Sequence, residues 1–221
     1  MECLPTSEKF PPKARAAVIV AHPDDEVLWC GGWILAHPEW QWWIVTLCRA
    51  NDPDRAPKFF KVLERLGAEG AMADLDDGPE QVPLAPQAVV ETIQCLLPDR
   101  RFELVLTHGP RGEYTRHRRH EECCRAVVGL WQAGRIMAEQ LWLFAYDDGG
   151  RAFPPRVSDG AHFQQQLAEE TWLEKRRLIT EVYGFPAESW EARVTPRDEG
   201  YWCFPSPASA GAFLDSNPPP P

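Results

Sequence analysis

The sequence predicts an α/β protein built on a parallel sheet covered by helices, and three observations carry that prediction. Short apolar runs of β type alternate with helical segments along most of the chain. The first run, RAAVIVA at 15–21, is apolar without alternation, the pattern of a strand buried on both faces. The chain has 221 residues, 44% hydrophobic and 25% charged, with no internal repeat and no composition break, so it predicts a single domain with one sizeable core.

The elements follow in order. Residues 1–13 are Pro-rich and aperiodic and read as an N-terminal arm. The strand at 15–21 stops at His22-Pro23, where proline restricts the preceding residue. Residues 25–36 carry Val27, Leu28, Ile34 and Leu35 at helical spacing, and QWWIVTLC at 41–48 is a second strand. A polar loop at 49–57 leads into an amphipathic helix at 58–67 that ends on Gly67. A short strand at 71–75 precedes the acidic turn Asp76-Asp77-Gly78-Pro79, and a helix at 86–97 begins with proline. Residues 102–107 (FELVLT) and 141–146 (LWLFAY) are strands, separated by a loop at 108–119 and a helix at 120–133. Residues 163–183 look helical, with a basic stripe at Lys175, Arg176 and Arg177. Residues 204–221 end in SNPPPP and read as a Pro-rich tail, which leaves 14–203 as the folded unit.

Charge and cysteine content narrow the function classes. With 23 basic against 33 acidic residues the net charge is −10, which repels phosphate-rich partners and argues against nucleic acid. No apolar run is long enough to cross a membrane, and the N-terminus lacks a leader pattern. Seven cysteines, an odd number without a CxxC pair, fit a reduced cytoplasmic protein. The high Trp content and Pro-rich ends allow a symmetric homo-oligomer.

Ligand sites of parallel sheets lie beyond the carboxyl ends of the strands, and two chemically unusual segments fall there. The first is Ala21-His22-Pro23-Asp24-Asp25-Glu26, after the first strand. The second runs from Thr107-His108 through Glu113-Tyr114 to His117 and His120, after FELVLT. A histidine and two adjacent carboxylates are costly to crowd without a cation, and His nitrogen with Asp oxygen suits a zinc-like metal. Taken alone, Asp24 or Asp25 also serves as a helix N-cap, and His117 and His120 as a solvated face. Ala36-His37-Pro38 repeats the tripeptide at the opposite edge of the sheet and reads as a structural turn. Gly31-Gly32 is not a phosphate loop.

These two segments together resemble the PIG-L/LmbE-like zinc-dependent N-deacetylase family over roughly 15–185. The resemblance implies a Rossmann-like, mostly parallel sheet with helices on both faces. It implies a Zn2+ cofactor held by His22, Asp25 and His120, with Asp24 as general base and His117 as oxyanion stabiliser or general acid. The implied substrate is a small N-acetylated amino sugar or glycoconjugate of the N-acetylglucosamine type. Tyr114 stands three residues before His117 where many members place a Tyr two before, and Arg118-Arg119 replace their Pro-Asp. Lys175, Tyr183 and Gly184 are similar to the family's looser C-terminal region. Arg49, Arg116, Tyr114 and His108 are the candidate substrate contacts, and Glu113 is a candidate for raising the His117 pKa. Most of the tryptophans from Trp29 to Trp43 read as packing residues. Four arginines against one glutamate at 111–120 suggest tolerance of an anionic substrate beside the metal. Two rival readings remain. One is a sugar-nucleotide glycosyltransferase using Asp52-Pro53-Asp54, and the other a non-catalytic binding module with a vestigial site.

Overall fold

The computed structural model describes residues 10–218. Residues 1–9 of the expected arm, with Cys3, and residues 219–221 of the expected tail lie outside the described residues. Five strands alternate with helices: β1 (Arg15–Val20), α1 (Asp25–Ala36), β2 (Gln41–Thr46), α2 (Arg55–Leu66), β3 (Glu69–Met72), α3 (Pro86–Leu96), β4 (Phe102–Thr107), α4 (Arg118–Gln132) and β5 (Ala138–Phe144). A small hairpin, β6 (Tyr146–Asp147) and β7 (Arg156–Val157), then β8 (Phe163–Gln166) and α5 (Glu169–Arg177), continue the chain. A π-helical turn (Leu178–Val182), α6 (Trp190–Val194), β9 (Asp198–Phe204) and α7 (Pro207–Ser216) complete it.

The main sheet has the order β3-β2-β1-β4-β5-β9-β8. Its first five strands are parallel, and β9 and β8 add antiparallel pairs at one edge. Alternate residues of β1 feed two cores. Ala16, Val18 and Val20 pack on one face of the sheet, and Ala17 and Ile19 on the other. That two-sided burial explains the unbroken apolar run in the sequence. From β1 the strand order proceeds one way to β2 and β3 and the other way to β4 and β5. The crevice beyond the carboxyl ends of β1 and β4 is therefore the topological switch point, where ligands bind in this architecture.

The expected α/β sheet with helices on both faces, in a single domain, is the architecture found. Three local expectations are corrected. Residues 163–166 are a strand, not helix, and pair with β9. The expected tail contains α7, started by Ser206, whose hydroxyl accepts the Ser209 N–H, and by Pro207. Lys175 does not join a solvated stripe. It is fully buried, with Nζ 2.7 Å from Glu199 Oε1. Glu199 also accepts the N–H groups of Gly32 and Trp33, so α1 is tied to β9 and α5 at one point. A Cβ on Gly32 would sit 2.4 Å from the Leu167 side chain, so the Gly-Gly pair serves this close approach. Trp29, Trp33, Trp40 and Trp42 are buried as expected of packing residues.

Candidate metal centre and active site

The turn after β1 builds one half of the site. Asp24 adopts φ 108°, a left-handed backbone that a non-glycine residue rarely takes. Its side chain caps nothing, so the N-cap role is not realised. Asp25 opens α1 with both oxygens engaged. Oδ1 accepts the Trp29 indole N–H at 3.1 Å, and Oδ2 accepts the His22 backbone N–H at 2.9 Å. Spacing i to i+4 on α1 places Trp29 over Asp25.

The segment after β4 builds the other half. Glu113 folds back so that Oε1 accepts the Gly109 N–H at 2.9 Å. Its Oε2 stands 3.0 Å from His108 Nδ1 and 2.5 Å from His120 Nδ1. Burial alone would raise this carboxyl, but His108 and His120 outweigh it and hold its pKa at about 2. An Nδ1–H bond to Glu113 leaves the His120 Nε2 lone pair facing the first segment.

Three donor atoms converge there. His22 Nδ1 and Asp25 Oδ2 are 3.1 Å apart, and His120 Nε2 lies 3.3 Å from each. A tetrahedral centre with bonds of ~2.0–2.1 Å separates its donors by about 3.3 Å. The triangle of two imidazole nitrogens and one carboxylate oxygen fits a zinc-like divalent cation in size and chemistry. Burial works to raise the Asp25 carboxyl, yet His120 and His108 hold it well below the usual range, ready to ligate.

Other sets of side chains approach each other closely enough to hold an ion, His22–His117–His120 and Asp25–His108–His120. His108 Nε2 accepts the Ala21 N–H at 2.9 Å, and its Nδ1 faces Glu113, so both ring nitrogens are already engaged. His108 is fully buried and stacked on His120 with ring centroids 3.8 Å apart. The expectation that it touches substrate is corrected: it supports His120 from behind.

A cavity of about 410 Å³ opens over the triangle, lined by His22, Asp24, Asp25, Arg49, Arg55, Asp77, Tyr114, His117 and Trp190 among others. Burial first, and the neighbouring Asp25 next, push the Asp24 carboxyl well above its ordinary range, with Arg55 opposing. Arg55 Nη1 holds Asp24 Oδ2 at 3.2 Å. His117 stacks on His120 at 4.4 Å, and its buried Nδ1 has no hydrogen-bond partner among the described residues. Burial, with His120 and His22 adding to it, lowers its pKa to about 3. The expected Glu113–His117 contact is corrected, because Glu113 serves His108 and His120 instead. Tyr114, despite its shifted spacing, lies against both His117 and His120.

The two candidate arginines fare differently. Arg49 lines the cavity but spends its guanidinium on Asp77, with Nη2 2.6 Å from Oδ2. Arg116 lies outside this cavity and pairs with Glu121 at 3.0 Å. Arg119 is buried against Asp76 and Glu122. Two of the four arginines at 111–120, Arg116 and Arg119, are thus committed to carboxylates, and none of the four lines this cavity. Sequence reasoning missed Asp77, whose Oδ1 is 3.2 Å from His22 Nε2, and Trp190, which packs on Tyr114 at 4.6 Å. Asp77 follows the carboxyl end of β3, so the strand-end rule could have flagged it. Trp190 carries no local signal. Asp52 accepts the N–H groups of Asp54 and Arg55 at the start of α2, so the Asp-Pro-Asp loop is a turn.

No family model matches the sequence, and a search of curated proteins finds no similar chain. Solved structures do match. The 4-carboxy-2-hydroxymuconate hydratase GalB from Pseudomonas putida aligns with TM-score 0.61 and 18% identity, over 87% of this chain and 97% of that one. The N,N'-diacetylchitobiose deacetylase from Pyrococcus horikoshii aligns with TM-score 0.61 and 15% identity, over 87% and 84%. The zinc-inhibited form of the teicoplanin deacetylase Orf2 gives TM-score 0.61 and 13% identity, over 86% and 97%. This chain shares their fold. Two of the three act as deacetylases and one as a hydratase, so the fold accommodates both chemistries.

Proposed function

We propose that this chain is a PIG-L/LmbE-like, zinc-dependent hydrolase that removes the acetyl group from an N-acetylated amino sugar or glycoconjugate. The observation that carries the reading is the donor triangle of His22, Asp25 and His120 with the unligated carboxylate of Asp24 beside it. The two deacetylases of the same fold support it. The thiols of Cys30, Cys48, Cys123 and Cys124, all buried and free, suit a cytoplasmic setting, and the expected unit 14–203 extends to include Phe10 and α7, which pack into the cores.

His22, Asp25 and His120 would hold the cation, which supplies Lewis acidity when bound. Asp24 accepts the proton of the attacking water. Its raised pKa makes it a stronger base than an exposed carboxylate. Arg55 fixes its orientation. His117 is held neutral, so it stabilises the developing oxyanion as a hydrogen-bond donor rather than as an imidazolium. Tyr114 lines the same cavity, and its hydroxyl makes no hydrogen bond among the described residues, which leaves it available to the acetamide. Trp190 and Tyr114 offer an aromatic wall for the sugar ring.

The test combines metal analysis with acetate release from N-acetylglucosamine, diacetylchitobiose and aryl N-acetylglucosaminides. About one divalent ion per chain and zinc-dependent acetate release are expected. Protein that holds no divalent ion and gains no activity with zinc would establish the binding-module reading. Hydration of 4-carboxy-2-hydroxymuconate without acetate release would assign the site to the hydratase chemistry of its structural neighbour.

A further inference from the structure

A second groove of about 830 Å³ adjoins the metal cavity and shares Tyr114 and Trp190 with it. Its floor is apolar and ring-shaped, made by Phe153, Pro154 and Pro155. Arg156 stacks on the Phe153 ring at 4.1 Å and braces it. Its charged walls are Arg151 and Arg193, and Asp148 is the only carboxylate among its lining residues. Asp148 is already occupied: Thr115 Oγ1 and N donate to it at 2.5 and 2.7 Å, and the Gly150 N–H at 3.0 Å. Arg151 and Arg193 are exposed and make no ion pair or hydrogen bond through their side chains among the described residues. Both guanidinium groups are therefore open to an anion, in a chain whose net charge is −10. Gly149, Gly150 and Arg151 take φ of 60°, 69° and 71°, and only the first two are glycines.

We infer that this groove binds the part of the substrate that remains after deacetylation, and that this part carries an apolar ring and an anionic group. The inference rests on the deacetylase reading for its reaction but on the groove for its chemistry. With the acetamide over the donor triangle, the Tyr114–Trp190 pair bounds both compartments, so the rest of the molecule extends past that pair onto Phe153 and the prolines. The anion then meets Arg151 and Arg193, whose planar guanidinium groups suit a carboxylate or a phosphate equally. The substrate class narrows from any N-acetyl sugar to one with a ring-bearing, negatively charged aglycone. The basic run at 111–120 pointed to the same charge preference through other residues, two of which, Arg116 and Arg119, are committed to carboxylates.

The experiment uses the metal-loaded protein and three glycosides of N-acetylglucosamine: phenyl, 4-carboxyphenyl and 4-phosphophenyl. The variant combines Arg151→Asn with Arg193→Ala, because asparagine tolerates left-handed backbone and spares the loop. Wild-type protein is expected to favour one or both anionic glycosides over the phenyl glycoside at least tenfold in kcat/KM. The variant is expected to bring that ratio near one, and the preferred anionic glycoside names the group recognised. Equal kcat/KM for charged and neutral glycosides in the wild type, or an undiminished ratio in the variant, overturns the inference. Calorimetric titration with 4-carboxyphenyl and 4-phosphophenyl glucosides, which lack the acetamide, separates this outcome from the failure of the deacetylase reading. If no glycoside releases acetate, a charge-dependent Kd that the variant weakens about tenfold still supports the groove, and a Kd indifferent to charge and to the variant overturns it.

Discussion

The inner corner of the site and its mouth are built on opposite plans. In the corner two of the three candidate ligands are held by a second bond, Asp25 by the Trp29 indole and His120 by Glu113, which in turn accepts the Gly109 N–H, and His22 Nε2 stands 3.2 Å from Asp77 Oδ1. At the mouth the groups are left wanting. His117 Nδ1 is buried without a hydrogen-bond partner among the described residues, and Asp24 sits in left-handed backbone that costs ~1–3 kcal/mol. Under the proposed function the corner would bind its cation without reorganising, as supporting hydrogen bonds around metal ligands generally ensure. The mouth stores strain and unsatisfied polarity that a substrate can relieve. The difference separates holding from reacting, and substitutions on the two sides are expected to fail differently.

Breaking the corner gives the largest effect. His120→Ala removes one of three donors and leaves Glu113 with a single histidine partner. Metal content is expected to fall from about one ion per chain to near zero, with acetate release lost by more than ~1000-fold. His22→Ala should do the same. Retained metal in either variant, measured by elemental analysis after gel filtration, would overturn this donor set, and retention in His22→Ala alone would point to Asp25, His108 and His120 instead. Asp24→Asn breaks the mouth alone. Metal content should stay at the wild-type level while kcat falls ~100- to 10,000-fold. Full activity in this variant would remove Asp24 from the base role.

Glu113→Gln sharpens the comparison, because it weakens the corner without touching a ligand. The Gln amide cannot accept from both His108 and His120 with the strength of a carboxylate. Metal affinity, measured by competition with a chelator, is expected to drop ~10- to 100-fold. Activity at saturating zinc should recover most of the loss, which separates a supporting role from a catalytic one. No change in affinity would show that His120 is oriented by packing on His108 and His117 instead.

How much of this was legible in the sequence follows from the same contrast. The expected 25–36 helix and 102–107 strand coincide with α1 and β4, because a strand buried on both faces and a helix packed on a sheet leave plain periodicities. His22, Asp24 and Asp25 were legible because they follow the β1 end within a few residues, and His117 and His120 because they lie in the segment that leads from the β4 end into the first turn of α4. The edge strand β8, containing Gln164, Gln165 and Gln166, was not legible, since half-exposed glutamines carry no apolar pattern. α7 was hidden by a Pro- and Ser-rich composition whose Ser206 and Pro207 are in fact start signals. Asp77 and Trp190 reach the cavity from distant segments, and only the folded chain brings them there. His108 was legible as a strand-end residue, but its direction, inward under His120, depends on Glu113 and the Ala21 N–H.

The smallest expected effect tests what orders the mouth. Burial works to raise the Asp148 carboxyl, but hydrogen bonds from Thr115 and the loop N–H groups bring it below its ordinary value. A carboxylate with a depressed folded pKa stabilises the fold above its unfolded pKa of ~3.9, and that stability is lost as pH falls through the lower folded value. Asp148→Ala should therefore cost about 1–2 kcal/mol at pH 6–8, read by denaturant unfolding. The gap between wild type and variant should begin to narrow near pH 4 and close as pH falls through the lower folded value, where the wild-type carboxylate takes up its proton. A gap that persists unchanged in acid would show that Asp148 acts by packing rather than by charge. Because Asp148 ties the 149–151 loop to Thr115, the same variant should also loosen Arg151 and lower the preference for anionic glycosides. Loss of that preference together with the acid-sensitive stability would link the order of the mouth to one ionised carboxylate, while the corner, held by Glu113 and Trp29, keeps its metal throughout.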